Sequence, residues 1–439
     1  MKAVIIFALL AIASAASAQT SALAPLRLTL DDAIRRGLET SHRLAEAAAR
    51  GEAAEAVAEG RRAAMRPQIA AQAGFTRTNH VETFGILSPN NQLRVIYPDI
   101  PDNYRTRLDL QWPIYTAGRL DALERAARAE ASASADDVAA ARGDLRLEIA
   151  RAYWALVTAG ESQRVVEESL RRVAAHLQDV RNRLAAGLVP PNDVLSVEAQ
   201  ESRQRMLAVQ ARSTREVAEA ELARLVGVEP GTSLEPTALI ELPAVPTRSL
   251  EGLIASARAQ RPERAALNKR TTAAQERERA AGAGLKPTIA VGGGVDYARP
   301  NPRIFPRQEA WRESWDASVN ISWPVFDGGR VRAELAETAA WSRAVDERAA
   351  DFDRTLAVEI RQRLSELLAS RAVVDAATDA IRSATEARRV VGVRFNAGVA
   401  TSTDVLDAHV ALLQAELDRT QGVAAARLAE ARLERALGR

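Results

Sequence analysis

Two hydrophobic periods share this chain. Val166, Leu170, Val173, Leu177, Val180 and Leu184 recur at alternating steps of four and three. That is the seam of helices packed side by side as a coiled coil. The segment carrying it, 117–185, is predicted as one helix. At 1.5 Å per residue such a helix reaches roughly 100 Å, a rod no globular core needs. Its counterpart, 328–396, keeps the seam less cleanly, with Arg388 where the first has Leu177.

The second period is two. "YRTRLDLQW" puts Tyr104, Thr106, Leu108, Leu110 and Trp112 on one face, and Arg105, Arg107, Asp109 and Gln111 on the other. "WDASVNISW" separates Trp315, Ala317, Val319, Ile321 and Trp323 from Asp316, Ser318, Asn320 and Ser322. "QIAAQAGFT" and "TIAVGGGVDY" have strand length but alternate less strictly. A half-buried strand of a soluble sheet shows this alternation, and so does a strand of an outer-membrane barrel. The placement of rings favours the membrane. Trp and Tyr stand at the strand ends, where an interfacial girdle lies. Moreover 12 of the 18 aromatic residues fall in 68–115 and 288–326, a small part of the chain.

The chain also repeats itself. "QWPIYTAGR" at 111–119 returns as "SWPVFDGGR" at 322–330. With Trp112 set on Trp323, Pro113 meets Pro324, Gly118 meets Gly329, Leu145 meets Leu356, Gly187 meets Gly398 and Asp193 meets Asp404, without a gap. Upstream, Leu30 meets Leu250, Pro67 meets Pro287 and Gly74 meets Gly294, at an offset nine residues larger. One insertion between Gly74 and Trp112 accounts for the difference. Two equivalent halves follow: a first repeat over 19–227, a Pro-rich linker over 228–248, and a second repeat over 249–439. Each half is expected to hold a helical segment (29–66 or 249–285) and two strands with a loop between them. The long helix, a Gly-containing turn and a last helix (192–226 or 403–437) follow. At the repeated motif a strand becomes the long helix. Trp112 and Trp323 mark the interface, and Pro113 and Pro324 end the strand because proline cannot donate to a sheet. Thr116 and Asp327 can cap the helix, while Gly118 and Gly329 loosen the bend.

Composition removes several function classes. "MKAVIIFALLAIASAASAQ" pairs Lys2 with a short apolar run and the small-residue site "ASA", the pattern of a signal peptide over 1–18 that directs export. There is no cysteine, so no disulfide framework is expected. The formal charge is only +2, with both signs interspersed, which gives no reason to expect a nucleic-acid partner. The four histidines form no metal-ligand set, and "VGGGVDY" leads to no phosphate-loop lysine. No catalytic residue, cofactor or metal is expected. Four strands cannot close a transmembrane barrel, and an open edge in lipid leaves backbone groups unpaired. Copies of the chain must therefore pool strands. Three copies would give twelve and two would give eight, and counting does not choose between them.

Taken together, "LTLDDAIRRGL" at 28–38, the two W-P-Φ-x-x-G-R transitions, the duplication, and the turns "RLAAGLVPPNDVL" and "RFNAGVATSTDVLDA" resemble the TolC-like outer-membrane efflux proteins. The likeness covers essentially the whole chain after the signal. It implies a mainly α fold with a small β part. Duplicated long helical hairpins would form an α-barrel tunnel, and four strands per chain would join a homotrimeric, twelve-stranded transmembrane β-barrel. It implies an exit duct in the outer membrane of a Gram-negative cell, working with a periplasmic adaptor and an inner-membrane transporter in efflux or type I secretion. It further implies that Asp404 and Asp407 ring the closed pore, and that Asp193, Phe395 and Ala400 occupy the helix contacts of the entrance. Phe395 and Ala400 depart from the family's tyrosine and arginine, so a polar latch is not expected there. The hairpin turns, with Gly187, Leu188, Val189, Gly398 and Val399, are the expected adaptor-docking tips. The rival reading is a periplasmic coiled-coil protein without a pore, against which the alternating strands with aromatic ends argue.

Overall fold

The computed structural model of the protein describes residues 25–229, 231–238 and 241–439. The signal peptide expected over 1–18 lies outside them, as do residues 230, 239 and 240 of the linker. In chain order the first half holds β1 (Leu26–Leu28), α1 (Leu30–Thr40), α2 (His42–Ala63), β2 (Gln68–Arg77), β3 (Phe84–Leu87), β4 (Leu93–Tyr97), β5 (Asp102–Tyr115), α3 (Arg119–Ala185) and α4 (Pro191–Leu225). The remainder holds β6 (Leu234–Pro236), α5 (Leu250–Gln260), α6 (Pro262–Gly282), β7 (Thr288–Arg299), β8 (Arg312–Ser322), α7 (Arg330–Asn396) and α8 (Ser402–Ala436). Helices α3 and α7 each have 67 residues, and α4 and α8 each have 35.

The fold divides into two compact units. One comprises Thr40–Ala150, Glu241–Ala380 and Gln421–Arg439. Its sheet is antiparallel, in the order β2-β5-β7-β8. The register sets Leu110 against Ile69 and Gly293, and Gly293 against Ala317. Alternate residues of all four strands therefore share one side of the sheet. That side carries Ile69, Leu108, Leu110, Val295, Trp315, Val319 and Ile321, all exposed, with Trp315 75% accessible. Rings bracket the apolar band. Phe75, Tyr104, Trp311 and Tyr297 form a contiguous series at one end, with centroids 4.9–5.9 Å apart. Trp112, Tyr115 and Trp323 stand at the other, where the strands join the helices. The helices of this unit share a core of Leu253, Leu356, Ile360, Leu367 and Leu433.

The second unit comprises residues up to Glu39, Arg151–Ile240 and Ile381–Thr420. Val166, Val173, Leu177 and Val180 of the predicted seam are at most 4% exposed. Val173, Leu177 and Val180 pack with Val194 and Val197 of α4, Phe395 of α7, and Val405 and Leu406 of α8. Strands β1 and β6 pair in parallel. Beside them the Tyr153 hydroxyl donates to the Leu28 carbonyl and accepts from Ala238 N–H, both at 3.2 Å.

Three local expectations are corrected. The leading helical segment of each half is two helices. Ser41 is extended and accepts from Leu44 N–H, starting α2. Arg261 is extended because Pro262 follows it and opens α6. Secondly, Pro113 does not end its strand: β5 runs on to Tyr115, with an irregularity in its pairing to β7 between Pro113 and Tyr115 that accommodates the missing N–H. In the second half the strand stops at Ser322, just before Trp323. Thirdly, the longer strand connection of the first half, expected as loop, contains a hairpin, β3–β4.

Candidate functional site

The strand-to-helix transitions are built alike. The Leu120 N–H bonds the Thr116 hydroxyl at 3.3 Å, and the Asp327 carboxylate accepts from Gly329 N–H at 3.0 Å and Val331 N–H at 2.8 Å. Both expected caps are thus in use. Gly118 (φ +79°) and Gly329 (φ +91°) occupy the left-handed region, each preceded by a second left-handed residue, Ala117 or Gly328. The tryptophans do more than mark a position. Trp112 Nε1 donates to the Met65 carbonyl at 3.2 Å, and Trp323 Nε1 to the Leu285 carbonyl at 3.1 Å. Met65 and Leu285 are equivalent in the two halves, so each indole ties the strand to the end of the preceding helix.

The opposite side of the sheet is polar. Arg107 lies along it. Its Nε meets Asp109 Oδ1 at 2.5 Å, its Nη1 meets Asp316 Oδ1 at 2.9 Å, and it also pairs with Asp296. Arg105 reaches Asp296 at 2.6 Å, and Arg303 reaches Asp316 at 2.8 Å. The sequence placed Arg105, Arg107, Asp109 and Asp316 on polar faces. It could not show their convergence, because strand register is not written in parity.

At the hairpin turns, Gly187 (φ +71°) and Gly398 (φ +77°) close the long helices. Leu188 N–H bonds the Arg183 carbonyl and Val399 N–H the Arg394 carbonyl, each at 2.9 Å, the six-to-one bond of a Schellman turn. Leu188 and Val399 protrude, 71% and 63% exposed, while Val189 and Ala400 pack on the bundle core. Phe395 is buried there. The Arg183 guanidinium sits 4.3 Å from its ring centroid, with Nη1 on its carbonyl at 3.2 Å. A cation–π contact thus stands where no polar latch is expected. Asp404 caps α8: its carboxylate accepts from Thr401 N–H at 2.7 Å and from the Thr401 hydroxyl at 2.8 Å, and its own N–H returns to that hydroxyl at 3.2 Å. These bonds hold its carboxyl below the usual range. Asp407, one turn on, is exposed. Asp193 lies in the first turn of α4 and accepts from the Asn192 amide at 3.3 Å.

Further along the same bundle are two histidines. His176 Nε2 lies 3.0 Å from Ser402 Oγ, and its ring is 6.2 Å from that of His409. Burial comes first among the causes that push His409 down to about 4, with His176, Arg388 and Arg172 adding repulsion. Burial lowers His176 as well. Arg388, the departure from the seam, is half-buried beside this pair.

The comparisons give these elements a context. The model of the outer membrane efflux protein family matches residues 33–228 and 253–439, nearly all of both halves. The chain belongs to that family. It is 28% identical over 247 residues to protein CyaE of Bordetella pertussis, covering 54% of this chain and 51% of that protein. The chain thus spans about half the length of this curated relative. Its fold is that of several solved proteins. It matches the outer membrane protein VceC of Vibrio cholerae at a TM-score of 0.79 and 22% identity, over 93% of this chain and 96% of that one. It matches the CmeC outer membrane channel of Campylobacter jejuni at 0.78 and 17%, over 93% and 85%. The open-state MtrE outer membrane channel of Neisseria gonorrhoeae gives 0.77 and 21%, over 93% and 88%.

No helix among the described residues is long and apolar enough to cross a membrane. The same residues hold no group of three or more His, Cys, Asp or Glu placed to take a metal.

Proposed function

We propose that three copies of this chain close a twelve-stranded barrel in the outer membrane and form the exit duct of an efflux or type I secretion system. The observation that carries the proposal is the four-stranded sheet, whose exposed side is apolar between two rows of rings while β2 and β8 remain edges. An apolar exposed side calls for lipid, and lipid does not tolerate unpaired edges. Pairing β8 of one copy with β2 of the next removes every edge at once. Polar residues then line the lumen, and the helices continue the duct into the periplasm. The chain acts as a conduit with no catalytic step of its own.

The tips at Gly187, Leu188, Val189, Gly398 and Val399 are proposed to meet a helical hairpin of a periplasmic adaptor, which bridges to an inner-membrane transporter. Small residues there allow close approach, and the protruding Leu188 and Val399 supply apolar contact. Asp404 and Asp407 are proposed to face the narrow end of the tunnel. Asp404 then serves as cap and pore charge together, because its bonds to Thr401 leave it ionised. The test is the purified protein in detergent and in planar bilayers. A trimer by native mass, with stepwise ion conductance, is expected. A stable monomer that conducts nothing would refute the reading.

A further inference from the structure

The polar side of the sheet is a nearly flat floor. Ala70, Gly74, Gly292, Gly294, Ser314 and Ser318 share it by register. Two long side chains from β5, Arg105 and Arg107, stand among these small residues, and Arg107 does not rise from the floor. Asp109 of its own strand and Asp296 and Asp316 of the next two hold its guanidinium down, leaving 15% of the side chain exposed. To reach Asp316 on β8 it must cross β7, and it crosses at Gly294. A Cβ added to Gly294 would lie 2.6 Å from Arg107 Nη2 and 2.8 Å from its Cζ, closer than real Cβ atoms come. The same atom would lie 2.8 Å from the Leu108 carbonyl oxygen. The Cβ of a side chain at Gly292, two residues along the same floor, would meet nothing nearer than Ser318 Oγ at 3.1 Å.

We infer that Gly294 and Arg107 together set the bore and the ion preference of the β-barrel. The glycine leaves a slot in the wall, and the slot lets the arginine lie flat and fully ion-paired. Without it the guanidinium must lift into the lumen, narrowing the passage and leaving its positive charge exposed to whatever permeates. The inference rests on the reading of this side as the lumen. In a trimer three such charges would ring one level of the barrel. A single unpaired charge about 6 Å from a passing ion in water alters that ion's local concentration about threefold. Since Arg107, Arg105 and Arg303 are balanced by Asp109, Asp296 and Asp316, the wild-type wall is electrically quiet at this level although it is rich in charge.

Four variants test this by single-channel conductance and reversal potential in planar bilayers. Gly294→Ala changes no formal charge, yet should lower conductance and reduce cation-over-anion preference by up to about tenfold, threefold for each ion with opposite sign, whereas Gly292→Ala should do neither. Adding Arg107→Ala to Gly294→Ala should restore conductance to at least the wild-type value. If the double variant stays low, strain at the Leu108 carbonyl is the cause and the inference fails. Arg107→Ala alone, which does not depend on assembly of the Gly294→Ala variant, should raise cation-over-anion preference by up to about tenfold without lowering conductance. Wild-type-like behaviour of Arg107→Ala would overturn the inference while leaving the duct intact. Absence of current through the wild-type protein would overturn the duct itself.

Discussion

Acidification should loosen the helix bundle near the tips through His409. The magnitude follows from burial. An imidazole with an unfolded value near 6.5 that falls to about 4 in the fold binds its proton more weakly when folded. At 1.36 kcal/mol per pKa unit, this linkage is about 3 kcal/mol, and solvent reaching a ring that is not fully enclosed trims it to about 2. The sign follows from proton binding. Between pH 6.5 and 4 the unfolded or opened state carries more protons than the native one, so stability rises with pH across that window. The full contribution is present above pH 6.5, is lost as pH falls toward 4, and changes no further below it. Burial is the first reason protonation of His409 is resisted, and the charges of His176 and Arg172 from α3 and Arg388 from α7 add to it. His176 is itself lowered by burial, with Arg183 adding to the shift and Asp179 opposing it. His176 adds a smaller effect of the same sign. Amide exchange of the segments 170–185 and 395–410, followed from pH 7.5 to 4.5 in detergent, would read the opening directly. His409→Leu should flatten most of the pH dependence while leaving protection at neutral pH unchanged or greater. If wild type and variant lose protection in parallel as the pH falls, the histidine is not the sensor.

Three further outcomes are expected. Tyr153→Phe removes the acceptor of Ala238 N–H and should cost about 1 kcal/mol, seen as a lower denaturation midpoint with export unchanged. Gly187→Val and Gly398→Val place a branched residue at a positive φ on the tips; each should abolish export in a complementation assay, and outer-membrane fractions should still contain trimer. Asp407→Asn should weaken cation selectivity and block by trivalent cations from the periplasmic side more than it affects melting, whereas Asp404→Ala, which removes the partner of Thr401, should affect both.

The long-range architecture was legible because it is written in periods. The steps from Val166 to Leu184 specify a seam at any position in space, and the alternation from Tyr104 to Trp112 specifies two faces before any partner is known. The turns were legible because Gly187 and Gly398 take φ values few other residues accept. What escaped the sequence reading depends on pairings between distant segments. Arg107 was assigned to a polar face, but nothing local links it to Asp296 or Asp316. His176 and His409 meet only through the packing of α3 against α8. Phe395 was noted for the hydroxyl it lacks, while its burial against Val173 and its contact with Arg183 depend on the bundle. The hairpin β3–β4 was missed because "FGIL" and "LRVIY" are too short for a period to declare itself. The break before α2 was missed because Ser41 interrupts an otherwise helical composition with a single cap.

The matched lengths of the two hairpins restrict how this protein can change. Each residue added to an α-helix turns everything beyond it by about 100°. One residue inserted in α3 would swing Val173, Leu177 and Val180 out of the seam and carry Gly187 away from the level of Gly398. No substitution elsewhere could return them. The 67-residue helices can therefore diverge in side chains but not singly in length, and the one clear difference in length between the halves falls in a strand connection, where the hairpin β3–β4 absorbs it. Lengthening or shortening the duct, by evolution or by design, has to proceed in steps that return the seam to phase, such as whole heptads, in both arms of both hairpins together.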